Sequence, residues 1–229
     1  MINQWLNFRH MLFPQACMLC EASNGGRLGL CGDCLRNLPW HDAAHCPQCA
    51  LPAIDNLHCG HCLNSPPDFD ATQALFRYEH PFDAMLQRFK YNQRLTMADT
   101  FGALLADSIS SRPDVIIPMP LHPQRLQERG FNQSVEVGRV LAKRLNVKLD
   151  LQSCARIKHA PPQASLPLKQ RVKNMRGAFR CDTKLDGLRI ALLDDVMTTG
   201  ASLNALASTV KKAGAAHIEC WVLGRTLPR

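Results

Sequence analysis

Two hydrophobic patterns divide the chain near residue 67. Before this point, cysteines and turn residues interrupt the apolar positions, and residues 64–68 contain two consecutive prolines, which oppose both helix and central strand. Beyond it, short apolar runs alternate with amphipathic segments, as is typical of a parallel sheet flanked by helices. We therefore predict a small module over residues 1–66 and a larger α/β domain over residues 67–229.

The periodicity of the larger segment predicts its individual elements. Apolar runs indicate strands at residues 71–78, 115–117, 188–193 and 217–223. Amphipathic spacing indicates helices at residues 81–91, 96–110, 132–145 and 202–213. Two lysines and a glycine end the last of these helices, which is the usual pattern of a helix C-terminus.

Charge is distributed unevenly between the two segments. The chain has a net charge of +8, yet its first 70 residues contain three arginines against six acids. The basic excess of the larger segment can attract phosphate groups on a small molecule or a nucleic acid, or it can be merely a solvated surface. We find no signal peptide and no apolar run of roughly 18 residues. We therefore expect a cytoplasmic protein without membrane insertion.

Eight of the eleven cysteines form four Cys-x-x-Cys pairs between residues 17 and 62. Two such pairs complete a tetrahedral thiolate site, and in a reducing cytoplasm metal binding is favoured over disulfides. The ribbon-like spacing favours zinc over iron–sulfur. We predict two structural Zn²⁺ ions in tandem, although a cross-braced pairing is also compatible with the sequence. The predicted ligands are Cys17, Cys20, Cys31 and Cys34 for one ion, and Cys46, Cys49, Cys59 and Cys62 for the other.

Because so short a module has little core of its own, metal binding should be coupled to its folding. We expect a chelator to unfold the module and to leave the larger domain folded. The neighbouring histidines His45, His58 and His61 are interpreted as bystanders, since four cysteines complete each site.

Residues 188–202 form the stretch of sequence that says most about function. An apolar run ends in Asp194 and Asp195, a turn rich in hydroxyls follows, and a helical pattern begins. In parallel sheets this junction is a ligand site, where N–H groups at a helix N-terminus hold a phosphate. Gly200 permits close backbone approach, and the acids suit sugar hydroxyls or Mg²⁺. The pattern favours a sugar phosphate. Alternatives are solvated acids before a Ser or Thr helix cap, or a receiver-type phosphoacceptor aspartate.

The segment Leu192-Leu-Asp-Asp-Val-Met-Thr-Thr-Gly-Ala-Ser202 resembles the phosphoribosyl-pyrophosphate (PRPP) loop of type I phosphoribosyltransferases. The resemblance implies the type I phosphoribosyltransferase fold, with Mg²⁺ bound together with PRPP. It implies that Asp194 and Asp195 are the catalytic acids, because they hold the ribose diol beside a developing oxocarbenium ion. The implied PRPP-binding residues are Asp194, Asp195, Val196, Met197, Thr198, Thr199, Gly200, Ala201 and Ser202.

With the cysteine module and the segment 114–134, nearly the whole chain resembles the ComF/GntX family, whose members carry a double zinc ribbon ahead of a phosphoribosyltransferase domain. By analogy, residues 118–122 form the pyrophosphate-side loop and residues 129–133 are the family's signature stretch. Arg129 is alternatively a surface guanidinium, and Asn132 a helix cap. The basic segment after Arg156 stands where type I enzymes carry a flexible loop that closes over PRPP. The pyrophosphate-side residues implied in this way are Pro120, Leu121, His122, Arg129, Arg156 and Lys158.

Three functions remain compatible with the sequence. They are a phosphoribosyltransferase with an unspecified acceptor, a PRPP-binding protein without turnover, and a non-catalytic zinc-ribbon adaptor for nucleic acids that retains the fold. The family resemblance implies a role in DNA uptake or in the use of extracellular DNA as a nutrient. It implies PRPP, single-stranded DNA or the uptake machinery as partners. The low aromatic content of 6% offers few stacking platforms for single-stranded DNA.

Overall fold

A computed structural model of the protein describes residues 15–91, 96–158, 175 and 177–228. Its centre is a five-stranded sheet with the spatial order β1-β7-β6-β2-β3, in which every neighbouring pair is parallel. These strands are β1 Ala71–Arg77, β2 Val115–Pro118, β3 Lys148–Leu149, β6 Arg189–Met197 and β7 His217–Arg225. A separate antiparallel ribbon consists of β4 Cys154–Arg156 and β5 Phe179–Cys181.

Helices of the described residues cover the sheet and complete the cysteine module. In chain order they are α1 Gly32–Arg36, α2 Gly60–Asn64, α3 Phe82–Tyr91, α4 Thr96–Ser108, α5 Pro123–Arg129, α6 Gln133–Leu145 and α7 Ala201–Lys212. None of these helices is long and apolar enough to cross a bilayer.

Both faces of the sheet are buried. Side chains alternate along β6, so Leu193 packs into the layer that contains Phe101 of α4 and Leu141 of α6, whereas Leu192 packs into the layer that contains Leu206 of α7. A strand buried on both faces has no polar alternation, which is why β6 is a continuous apolar run in the sequence.

A glycine permits α4 and α6 to lie in close contact. A Cβ atom at Gly102 would lie 2.6 Å from the Cβ atom of Val140, which is closer than carbon atoms approach in folded proteins. This contact holds α6 against the sheet, and α6 begins at the functional edge described below.

The first part of the cysteine module shares its core with the sheet domain. Cys17, Leu30 and Leu38 belong to the same buried cluster as Phe76 of β1. The rings of Trp40 and Phe76 have centroids 4.9 Å apart. The two segments therefore pack as one body in this region, although the prolines of residues 66 and 67 separate them in sequence.

The predicted fold class, a parallel α/β sheet domain preceded by a cysteine-rich module, is confirmed. The predicted strands and helices are present with boundary shifts of a few residues. In the sheet domain, the features that were not predicted are helix α5, the short edge strand β3 and the β4–β5 ribbon; the short helices α1 and α2 of the cysteine module were not predicted either. The basic closing loop, with Lys169, Arg171, Lys173 and Arg176, lies outside the described residues.

Candidate functional site

The turn between β6 and α7 lies at the carboxyl edge of the sheet. Gly200 precedes α7 with a left-handed backbone (φ 77°), and its carbonyl oxygen accepts a hydrogen bond from the N–H of Asn204 at 2.8 Å. The N–H of Ala201 donates to Oγ1 of Thr199 at 3.3 Å. Thr198 and Thr199 are exposed. The strand–turn–helix arrangement predicted from the sequence is therefore present, with its hydroxyl-bearing turn accessible to an anion.

The two acids of β6 have different neighbours. Oδ1 of Asp194 accepts hydrogen bonds from the N–H of Asp195 at 2.8 Å and from Oγ of Ser134, the second residue of α6, at 3.5 Å. Oδ2 of Asp195 lies 2.7 Å from Nζ of Lys90, and both side chains are less than one-fifth exposed. The acids are thus held by helices on the sheet rather than solvated, which disfavours the interpretation as a simple strand end.

Lys90 is a site residue that the sequence did not reveal. It lies on α3, directly after the buried Phe89, and the same helix contains a second basic residue, Arg88. No local motif distinguishes it, because its partner Asp195 lies more than a hundred residues away in the sequence. Only the packing of α3 against the sheet brings this ammonium group to the acids.

The environment of Asp194 opposes its ionisation. Burial, followed by the neighbouring carboxylate of Asp195, raises the pKa of Asp194 to about 7, whereas the charges of Lys90 and Arg156 act in the opposite direction. Near neutral pH Asp194 is therefore close to the midpoint of its ionisation. A sugar diol can donate hydrogen bonds to these oxygens, and a divalent cation nearby would favour the ionised form.

The predicted pyrophosphate-side loop begins at the same edge. Pro118 of β2 lies opposite Leu193 of β6, and the next N–H, that of Met119, donates to the carbonyl oxygen of Leu193 at 2.7 Å. Pro120 and Leu121 follow, and Nδ1 of His122 accepts from the first turn of α5. The structure therefore brings this loop beside the acids, as parallel neighbouring strands require.

The signature stretch contains a buried polar pair. Nη1 of Arg129 donates to Oε1 of Gln133 at 2.6 Å, and Gln133 is only 1% exposed. Within the described residues, Nε of Arg129 and Nε2 of Gln133 have no hydrogen-bond acceptor. Arg129 is therefore not a free surface guanidinium. Asn132 is a helix cap, because its Oδ1 accepts from the N–H of Ser134 at 3.0 Å.

The remaining two predicted cations lie at the end of strand β4 and just after it. The guanidinium of Arg156 stacks over the ring of Phe179, with 5.8 Å to the centroid, and its charge acts on Asp194. Burial lowers the pKa of Arg156. Lys158 follows two residues later, and its Nζ lies beside Gly177. Arg156 is therefore close enough for its positive charge to favour the ionised form of Asp194.

The cysteines gather into the two tandem sets predicted from the spacing. Within each set all four sulfur atoms lie within 4.8 Å of one another, and neither set includes a histidine. Sγ atoms of Cys20 and Cys31 are 3.7 Å apart, and those of Cys49 and Cys59 are 3.6 Å apart. Tetrahedral zinc with 2.3 Å bonds requires sulfur separations of about 3.8 Å. The four-thiolate sets therefore fit zinc, and the cysteines pair in tandem rather than in the cross-braced arrangement.

Backbone donors favour ionisation of one cysteine in the second set. Burial opposes ionisation of Cys46, but N–H groups of Cys59, Cys49 and Gln48 outweigh it and lower the pKa of that thiol to about 6. Thiolate is the form that binds metal.

A groove of about 890 Å³ begins beside Thr199 and Gly200 and extends along α7 to Cys62. The second cysteine set and the β6–α7 turn thus border one common groove.

Comparison with known proteins gave matches to both parts of the chain. Residues 8–63 match the double zinc ribbon domain family. The adenine phosphoribosyltransferase of Thermoanaerobacter pseudethanolicus matches with 17% identity and a TM-score of 0.38, over 58% of this chain and 83% of that chain.

Two relatives match almost from end to end. The DNA utilization protein YhgH of Salmonella typhimurium is 32% identical over 224 residues, which cover 93% of this chain and 98% of the relative. Competence protein F of Haemophilus influenzae is 29% identical over 226 residues, with the same coverage of 93% and 98%. Since the identity with YhgH extends over nearly the whole of both chains, this protein belongs to the ComF family, the family of DNA utilization protein YhgH and competence protein F.

Proposed function

We propose that this protein binds PRPP with Mg²⁺ at the carboxyl edge of its sheet. The observation that supports this most directly is the convergence of two paired acids, a hydroxyl-bearing turn at a helix N-terminus and a partly buried ammonium group at one edge. Acids alone would suit a metal, and a turn alone would suit any anion. Their combination suits a ligand that has a diol between two anionic ends.

Each group has a role in this proposal. The turn of residues 198–202 holds the 5′-phosphate through N–H groups and hydroxyls, and the dipole of α7 favours its charge. Asp194 and Asp195 accept hydrogen bonds from the ribose hydroxyls. Lys90, already at Asp195, supplies positive charge on the side of the pyrophosphate. Asp194 and Asp195 could hold Mg²⁺ in part, and this ion, when bound, would supply further positive charge beside the pyrophosphate.

Turnover would use the same arrangement. A nitrogen nucleophile of an acceptor forms a bond to C1 of the ribose, while the bond from C1 to the pyrophosphate oxygen breaks and pyrophosphate leaves. The two acids stabilise the positive charge that develops on the ring. Arg156, whose charge already reaches Asp194, is placed to stabilise the departing anion. No group is assigned as general base, so the acceptor is not specified.

The names of the relatives suggest the setting in which this site acts. We propose a cytoplasmic role in DNA uptake or in the use of DNA as a nutrient, because the relatives that match end to end are named for DNA utilization and competence. The two Zn²⁺ ions are structural in this proposal, since complete cysteine sets leave no open coordination position.

Calorimetric titration of the zinc-loaded protein with PRPP, with and without Mg²⁺, tests the binding proposal. Asp195→Asn should weaken PRPP binding about tenfold or more, the value of a hydrogen bond to a charged group, and should leave the zinc content at two ions. Asp107→Asn is the matched control, because Asp107 is an exposed acid on α4 whose nearest cation is Arg144 at 3.9 Å. Failure of the unaltered protein to bind PRPP would exclude both PRPP-dependent functions. Release of pyrophosphate across a panel of nitrogenous acceptors would then separate an enzyme from a binding protein.

The basic excess of the larger domain favours a second candidate, a nucleic-acid adaptor without turnover. An adaptor that neutralises phosphates must lose affinity for single-stranded DNA as salt rises, with a linear slope on logarithmic axes. A flat slope would contradict this candidate.

A further inference from the structure

One buried arginine joins the second cysteine set to the β6–α7 turn. Arg225 ends strand β7 and is only 3% exposed. Its Nε donates a hydrogen bond to the carbonyl oxygen of Cys49 at 2.8 Å. Its Nη1 donates to the carbonyl oxygen of Met197 at 2.9 Å and also to that of Thr198. A single guanidinium therefore contacts a zinc-ligand residue at one end and the proposed phosphate-binding turn at the other.

The contacts to the turn control the direction of its peptide groups. In a trans peptide the carbonyl oxygen and the following N–H point in opposite directions. When Arg225 holds the carbonyl oxygens of Met197 and Thr198, the N–H groups of Thr198 and Thr199 point away from it. Because the N–H of Thr226 also donates to the carbonyl oxygen of Met197, the peptide after Thr198 is the one that depends on Arg225. Its N–H, on the exposed Thr199, is the one we expect a phosphate to contact.

The contact to Cys49 depends on the geometry of the knuckle. Cys46 and Cys49 are separated by two residues, and a metal ion bound by both fixes the path of the backbone between them. The knuckle is also held to the sheet domain by Thr72, whose Oγ1 donates to the carbonyl oxygen of Gln48 at 2.6 Å. Thr72 contacts the knuckle but not the turn, so the two links can be separated by mutation.

We propose that Arg225 is a positioning residue through which zinc at the second cysteine set preorganises the phosphate-binding turn. The role of that turn in PRPP binding rests on the function proposed above, whereas the mechanical link from zinc to turn does not. By linkage, loss of this zinc ion lowers ligand affinity, and bound ligand strengthens zinc retention by the same factor.

The primary measurement is hydrogen–deuterium exchange in the turn of the ligand-free protein, read at the N–H groups of Asn204 and Thr226, which donate to the carbonyl oxygens of Gly200 and Met197. Arg225→Lys keeps the positive charge but cannot span both ends, and Cys59→Ser removes zinc from the second set while leaving Arg225 intact. Each change should accelerate exchange in the turn about tenfold, the value of one lost hydrogen bond to a charged group. The double variant should exchange no faster than either single variant, because both changes break one link. Thr72→Val and Cys20→Ser, which affect the other link and the first cysteine set, should leave exchange in the turn unchanged.

The outcomes are distinct. Unchanged exchange in Cys59→Ser, with zinc content reduced from two ions to one, would overturn the proposal even if Arg225→Lys did not fold. Equal acceleration by Cys20→Ser would also overturn it, because the effect would then be general destabilisation. PRPP titration of the same variants should show losses of affinity in the same order. If the turn responds as expected but the unaltered protein does not bind PRPP, the proposed function fails and the positioning role stands.

Discussion

The raised pKa of Asp194 predicts that this acid destabilises the protein at neutral pH. Its folded-state pKa of about 7 compares with an ordinary value of 3.8. Between these values the folded state binds a proton that the unfolded state does not, so the free energy of unfolding falls as pH rises through this window. The full difference corresponds to about 4 kcal/mol, an upper limit because Asp194 retains partial exposure.

Asp194→Asn removes this titration. From about pH 5.5 to about pH 8, the unfolding free energy of the variant relative to the unaltered protein should increase by about 2 kcal/mol, because about 1.5 pH units of the window lie in that range. Urea denaturation in zinc-containing buffer at both pH values measures the difference, and Asp107→Asn provides an exposed acid as a control. The same variant should bind PRPP more weakly. A stability difference that does not change with pH would refute the assigned burial and coupling of this acid.

Three further predictions concern the site and its supports. Lys90→Met should destabilise the protein by about 2 kcal/mol in urea denaturation, because it leaves Asp195 partly buried without its cation. An unchanged denaturation midpoint would show that the Lys90–Asp195 pair is solvated. Gly102→Ala should cost about 1–3 kcal/mol in urea denaturation, because its Cβ would overlap Cβ and Cγ1 of Val140. Val140→Ala in the same chain should recover only the part due to Cγ1, because alanine retains the Cβ; full recovery would contradict the close contact between the two helices. Chelation of zinc should lower the melting temperature of the whole protein in calorimetry, because the first cysteine set shares the core of the sheet domain. A separate unfolding transition of the cysteine module alone would contradict this coupling.

The sequence predicted those parts of the molecule whose residues are local to one another. Cysteine spacing predicted both tandem sets, and the apolar run followed by two acids predicted the strand, turn and helix of residues 189–212. Membership of the ComF family and the double zinc ribbon are confirmed. Each of these patterns lies within a short stretch of sequence, where the spacing of the residues determines which side chains come together.

Contacts between distant segments were not predictable in this way. Lys90 and Asp195 meet only after α3 packs on the sheet, and Arg225 stands at the end of an apolar strand without any accompanying motif. Helix α5 was missed because prolines at residues 118, 120 and 123 indicated irregular chain, although a proline is well suited to the first turn of a helix. The prolines at residues 66 and 67 suggested an independent module, which a chelator would unfold by itself. The core that the first cysteine set shares with the sheet domain instead predicts that zinc loss destabilises the whole protein.

The contact between Trp40 and Phe76 has a consequence for attempts to dissect this protein. A chain shortened to begin after the prolines would lose Trp40 and uncover the ring of Phe76, which is fully buried in the intact protein. Newly uncovered aromatic surface at a sheet favours self-association. The sheet domain should therefore be produced with the cysteine-rich module attached, and any activity measured on the isolated sheet domain would describe a different, less stable molecule.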